Sequence, residues 1–97
     1  MRFHVLGPLE AIGGDGRIRI TGLRRRALLA TLLLHPGKLV TYRQIIASVW
    51  DEQHGNEARD SLRVHLRSLR KKLSDDASAP RYILTEPGVG YRLRVME

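Results

Sequence analysis

Four cationic side chains, Arg63, Arg67, Arg70 and Lys71, lie on or beside one face of the helix-forming stretch Ala58 to Leu73, ARDSLRVHLRSLRKKL. At about 100° per residue, the side carrying Arg63, Arg67 and Lys71 also carries Asp60, Val64 and Ser68. The opposite side carries Leu62, Leu66, Leu69 and Leu73 at helical spacing, a continuous apolar stripe. Such a helix, anchored by leucines and presenting mostly cations, suits the major groove of DNA. The plainer reading is a solvated basic surface helix. Val64 falls near the centre of the outward face, which is odd for a solvated surface and sensible against a thymine methyl. Arg67 can reach either a guanine edge, as a two-pronged donor, or a phosphate. Arg70 sits at the flank, suited to phosphate, although its stem could instead cover apolar surface. His65 lies towards the leucine side and reads as a packed or hydrogen-bonded histidine.

Composition agrees with a polyanion partner. The chain has 97 residues, enough for a single domain spanning 1–97 with one modest core, and a formal net charge of +7. The charge is clustered: Arg59 to Lys72 holds six Lys and Arg against one acid, Asp60, whereas Asp51 to Glu57 holds three acids and no Lys or Arg. There is no cysteine, which excludes disulfides and thiolate zinc sites. His4, His35, His54 and His65 are scattered without ligand spacing, and no serine has a nucleophile context. Asp51-Glu52 and Asp75-Asp76 read as solubility and helix-ending residues. No catalysis, metal or cofactor is therefore expected. The apolar run Ala27 to Leu34 is broken by Thr31 and too short to span a bilayer, and no secretory signal pattern is present. These features predict a cytoplasmic protein, nucleoid-associated when bound to DNA, with no membrane partner.

The basic helix needs a scaffold, and the sequence supplies one. Phe3 to Ile20 reads as short strands punctuated by Gly7-Pro8 and by the hairpin-like Gly13-Gly14-Asp15-Gly16. Leu23 to Leu34 reads as a first helix stopped by Pro36-Gly37, with Arg24, Arg25 and Arg26 in its first turn, the poor end for cations. A partner for these arginines is one expectation; plain solvent exposure is the other. Thr41 to Trp50 reads as a second helix, with Thr41 and Gln44 forming a capping box and Trp50 packing in the core. Asn56 is the expected cap of the third helix. Strands YILT and YRLRV then flank Glu86-Pro87-Gly88-Val89-Gly90 as a hairpin. In it, Tyr91, Leu93 and Val95 should pack while Arg92 and Arg94 stay wet.

Taken together, LRRRALLATLLLHPGKLVTYRQIIASVW, LRVHLRSLRKKL and YILTEPGVGYRL resemble the winged helix-turn-helix domain of the OmpR/PhoB type, over nearly the whole chain. The opening FHVLGPLEA is similar to SARP-type regulators, and RYILTEPGVGYRL to KdpE-type response regulators. The resemblance implies an α+β fold: an N-terminal antiparallel sheet, three helices and a C-terminal β-hairpin wing. It implies sequence-specific binding of double-stranded DNA by a bacterial transcription regulator, as a head-to-tail pair on direct repeats. A recognition helix at about 57–73 would enter the major groove, with Arg63, Val64, Arg67, Ser68 and Lys71 as base-contact candidates. Hairpin 81–95 would be the wing. Phosphate candidates are Thr41, Arg43, Arg59, Arg70, Thr85, Tyr91, Arg92 and Arg94. Members often carry a basic residue in the wing turn; here the turn has none, which weakens the case for minor-groove reading by its tip. The loop with Asp51, Glu52 and Glu57 corresponds to a segment that contacts RNA polymerase in activators. The competing reading is a winged-helix module that contacts proteins of the transcription machinery without specific DNA binding.

Overall fold

The computed structural model describes residues 2–5, 9–13, 16–50, 56–73, 75 and 78–94. Strands β1 (Arg2–His4), β2 (Glu10–Gly13) and β3 (Gly16–Arg19) form an antiparallel meander. Helix α1 (Leu23–Leu33) follows, then β4 (Leu39–Thr41), α2 (Tyr42–Val49) and α3 (Asn56–Leu73). The chain returns as a hairpin of β5 (Ile83–Glu86) and β6 (Gly90–Leu93). The predicted order of strands, three helices and hairpin is observed, with one further strand, β4, between α1 and α2.

The leucine stripe is the core face of α3. Leu62, Leu66, Leu69 and Leu73 are each at most 2% exposed. They meet Leu28, Leu29 and Leu32 from α1, Ile45 and Ile46 from α2, and Ile83, Tyr91 and Leu93 from the hairpin in a single buried cluster. Ala11 and Ile20 bring the N-terminal sheet into the same cluster. Burying these side chains is the main driving force holding the helices together, each large one contributing roughly 1.5–3 kcal/mol of transfer free energy.

Helix α2 starts as expected. Thr41 Oγ1 accepts from Gln44 N at 3.2 Å, and Gln44 Oε1 accepts from Thr41 N at 2.9 Å, the reciprocal capping box. Two boundaries differ from the sequence reading. Asn56, expected just outside α3 as its cap, is the first residue of the helix. Residues 39–41, read as connector and helix start, form β4, which pairs with β6 and makes the hairpin a three-stranded sheet in the order β4-β6-β5. Lys38-Leu39-Val40-Thr41 is too short for periodicity to reveal a strand; its partner lies fifty residues on, so only the tertiary fold discloses it.

That pairing explains Gly90. Thr41 lies opposite Gly90 across β4 and β6. A Cβ on Gly90 would overlap the carbonyl oxygen of Val40 and sit 2.8 Å from Thr41 Cα, both of them backbone atoms. Tyr42 N also donates to Val89 O at 2.9 Å, so the hairpin turn is fastened to the first residue of α2. Replacing Gly90 by Ala must separate β4 from β6. Gly90→Ala should destabilise the fold by about 1–3 kcal/mol in urea unfolding; unchanged stability would contradict the β4–β6 register.

Candidate nucleic-acid interface

The outer face of α3 carries most of the predicted contact residues in the open. Val64 is 65% exposed, flanked by exposed Arg63, Arg67 and Lys71. Arg63 lies 4.0 Å from Asp60 across one turn, and both side chains are about three-quarters exposed, so this pair restrains Arg63 only weakly. Arg43, Arg92 and Arg94 are also exposed. The guanidinium of exposed Arg59 lies over the Tyr42 ring, 4.7 Å from its centroid.

Five predicted contacts, Ser68, Thr41, Tyr91, Arg70 and Thr85, are engaged within the protein instead. Ser68 is half-buried and accepts a hydrogen bond from Arg25 Nη1 at 2.8 Å. Thr41 spends its hydroxyl on the α2 cap, accepting from Gln44 N and donating to Gln44 Oε1 at 3.2 Å. Tyr91, expected at a phosphate, is 4% exposed. Burial raises its hydroxyl pKa above 10.0, and neighbouring Tyr42, which shares a hydrogen bond with it, adds to the rise; Arg70 and Arg63 oppose it. The two rings meet edge to face with centroids 5.3 Å apart. With Arg59, Leu62, Arg63 and Gly88 they line a polar cleft of about 90 Å³ between α2, α3 and the hairpin turn.

Arg70 is the clearest departure from the sequence reading. Its side chain is 12% exposed and turned into the hairpin. Nη2 donates to Ile83 O at 2.6 Å and to Thr85 Oγ1 at 2.7 Å, and Nε lies 3.9 Å from Asp75 Oδ2. Thr85 remains exposed but accepts this bond. Asp75, read as a solubility and helix-ending residue, has a fully buried side chain. Its Oδ1 accepts from Arg81 N at 2.7 Å and Tyr82 N at 3.2 Å, and its Oδ2 accepts from Ile83 N at 3.0 Å. Asp75 N donates to Arg70 O at 2.8 Å, closing the end of α3. The carboxylate thus joins the last turn of α3 to the start of β5. An aspartate in the connector just beyond a helix was the only sequence signal, and it is a common one.

His65 behaves as expected. Its Nδ1 lies 2.8 Å from Ser61 O, and its ring meets Trp50 edge to face at 5.7 Å. Trp50 is 6% exposed, its Nε1 donates to Ser61 Oγ at 3.2 Å, and the Arg24 guanidinium lies 5.1 Å from its ring centroid. Glu57 is exposed in the first turn of α3, whereas Asp51 and Glu52 lie outside the described residues. Among the described residues no group of three or more His, Cys, Asp or Glu side chains could hold a metal ion, and no helix is long and apolar enough to cross a membrane.

Residues 17–93 match the model of the family described as transcriptional regulatory protein, C terminal. The chain belongs to this family, the OmpR/PhoB type. Both resemblances within it are present. The KDP operon transcriptional regulatory protein KdpE of Escherichia coli is 39% identical over 79 residues, covering 81% of this chain and 34% of that protein. The regulatory protein AfsR of Streptomyces coelicolor is 38% identical over 95 residues, covering 97% of this chain and 9% of that one. The chain therefore spans a third or less of these relatives. The RstA DNA-binding domain of Klebsiella pneumoniae, solved with its RstA box, superposes with a TM-score of 0.74 at 20% identity, covering 97% of this chain and 98% of that one. At that identity it establishes the winged-helix fold. The family is one of transcription-regulator domains, not of enzymes.

The Asp75 arrangement is testable apart from any ligand. Asp75→Ala leaves three strand-entry amides without their acceptor and the half-buried Arg70 guanidinium without its countercharge. The loss should be about 3–5 kcal/mol, as for a broken buried pair. Chemical unfolding reads it, and a loss within 0.5 kcal/mol would show that the carboxylate does not hold the hairpin.

Proposed function

We propose that this domain binds double-stranded DNA sequence-specifically, with the outer face of α3 in the major groove and the β5–β6 hairpin as the wing. One observation carries this reading: Val64 stands exposed at the centre of a face on which the cations Arg63, Arg67 and Lys71 outnumber the single acid, Asp60. A wholly solvated face gains nothing from a central valine, whereas the major groove offers thymine methyls beside guanine acceptors. Arg43, Arg59, Arg92 and Arg94 flank that face as phosphate contacts, setting register without reading sequence. Arg70 and Tyr91 act from beneath, placing the wing and the floor of the cleft. The hairpin turn, without Lys or Arg, lies along the backbone rather than reading the minor groove.

The functional unit is a head-to-tail pair on direct repeats, in the cytoplasm and on the nucleoid. The acidic segment with Asp51, Glu52 and Glu57 faces a basic surface of RNA polymerase, since its charge is repelled by phosphate and attracted to cations. The relatives' names, a transcriptional regulatory protein and a regulatory protein, support the coarser reading of a role in transcription regulation.

Selection from a random duplex pool, followed by fluorescence anisotropy over a salt series, tests the proposal. A repeated short motif should be enriched, and affinity should fall steeply as salt rises. Salt-sensitive binding without enrichment would leave general DNA affinity only. No binding at low salt would favour the protein-contact reading. On the selected site, Arg67→Ala should cost about 1–3 kcal/mol if Arg67 reads a base. Unchanged discrimination between that site and a scrambled duplex would remove Arg67 from the base readers.

A further inference from the structure

The charge of the three arginines in the first turn of α1 is not balanced within the described part of the fold. Cations there oppose the helix dipole, and α1 has no acidic residue in that turn. Among the described residues no carboxylate forms an ion pair with Arg24, Arg25 or Arg26. Arg25 is nonetheless held in place. Its Nε donates to Thr21 O at 2.8 Å, its Nη2 to Thr21 Oγ1 at 3.4 Å, and its Nη1 crosses to α3 to donate to Ser68 Oγ at 2.8 Å. Three of the five guanidinium donors are used, and two remain.

The place to which Arg25 is pinned matters. Ser68 lies about 40° around α3 from Val64, on the side away from the wing. Gly22, Leu23, Arg24 and Arg25 face Val64, His65 and Ser68 across one open groove. The cationic face of α3 is therefore bordered on both sides. Arg63 and Arg59 stand towards the wing, and Arg25, with Arg24 stacked on Trp50, stands towards α1. A short serine at position 68 leaves room for a guanidinium delivered from another helix. Two neutral oxygens of Thr21 and one of Ser68 orient that charge without neutralising it.

We propose that Arg25 is a DNA-backbone contact: α1 supplies a pre-positioned guanidinium that grips a phosphodiester on the strand bordering the α1 side of the groove. The inference rests on the DNA reading above and extends the contact surface from α3 and the wing to a third element. Fixed in advance by its bonds to Thr21 and Ser68, Arg25 loses little side-chain freedom on binding.

The test compares the parent domain, Arg25→Ala and Ser68→Ala by anisotropy on the selected duplex and on a scrambled one, each over a salt series. Arg25→Ala should weaken both duplexes alike, about three- to tenfold, and make the log–log salt slope shallower by about one. Ser68→Ala keeps every charge and frees the guanidinium; it should weaken both duplexes by a smaller factor with the slope retained. A melting curve for each variant separates binding from folding. If Arg25→Ala does not fold, Ser68→Ala decides, and parental affinity for it overturns the proposal. Parental affinity and slope for a folded Arg25→Ala overturn it too, as does a loss confined to one base pair of the selected site. Failure of the parent to bind either duplex brings down the DNA reading, and the role of Arg25 with it. Parent binding with an unaffected Arg25→Ala removes Arg25 alone.

Discussion

The carboxylate of Asp75 fixes where the hairpin stands relative to α3. A two-stranded hairpin is marginal by itself in water. Here it is held by β4 along one edge and by Asp75 at its base, where one buried side chain accepts three successive backbone amides of residues 81–83. Arg70, at 12% exposure, supplies the countercharge from the last turn of α3. Burying this pair costs solvation, and the arrangement is tolerable because the carboxylate's acceptors are nearly all used. Its gain is geometric: helix and hairpin cannot shift independently. Arg70 Nε keeps no hydrogen-bond partner, so the guanidinium is held by its Nη2 bonds and by charge more than by an ideal fork.

The other side of α3 is fastened by different chemistry. Trp50, Ser61 and His65 form a polar and aromatic contact between α2 and α3, and Arg24 caps it from α1. Beneath both sides lies the leucine stripe, which sets the rotation of α3 about its axis. Once Leu62, Leu66, Leu69 and Leu73 are buried, Val64, Arg67 and Lys71 have no direction left but outward. Core packing thus determines which side chains are offered to a partner, and the polar ties determine what stands beside them.

Local, periodic features of this chain were legible in its sequence. The leucine stripe, the Thr41–Gln44 box and the alternation of Tyr91, Leu93 and Arg92 each rest on residues a few positions apart. Strand β4 was not legible, since its three residues become a strand only through β6. Arg70 and Asp75 were misread for a related reason. A cation on a helix flank and an acid in a connector look solvated until the fold brings them to the base of β5. Tyr91 shows how a family role can override a local signal: strand alternation placed it in the core, and the resemblance placed it at a phosphate. Burial agrees with the alternation. For Arg25, only the misplaced charge at the start of α1 hinted at a long-range tie.

The most direct test of the account is a 15N amide titration of the domain with its selected duplex. The largest shifts should fall on residues 60–71 of α3, with further shifts at residues 41–43, in the first turn of α1 and along the β5–β6 hairpin. The meander of β1, β2 and β3 should change little. Shifts concentrated on that meander, with the outer face of α3 unmoved, would contradict the claim that α3 enters the groove.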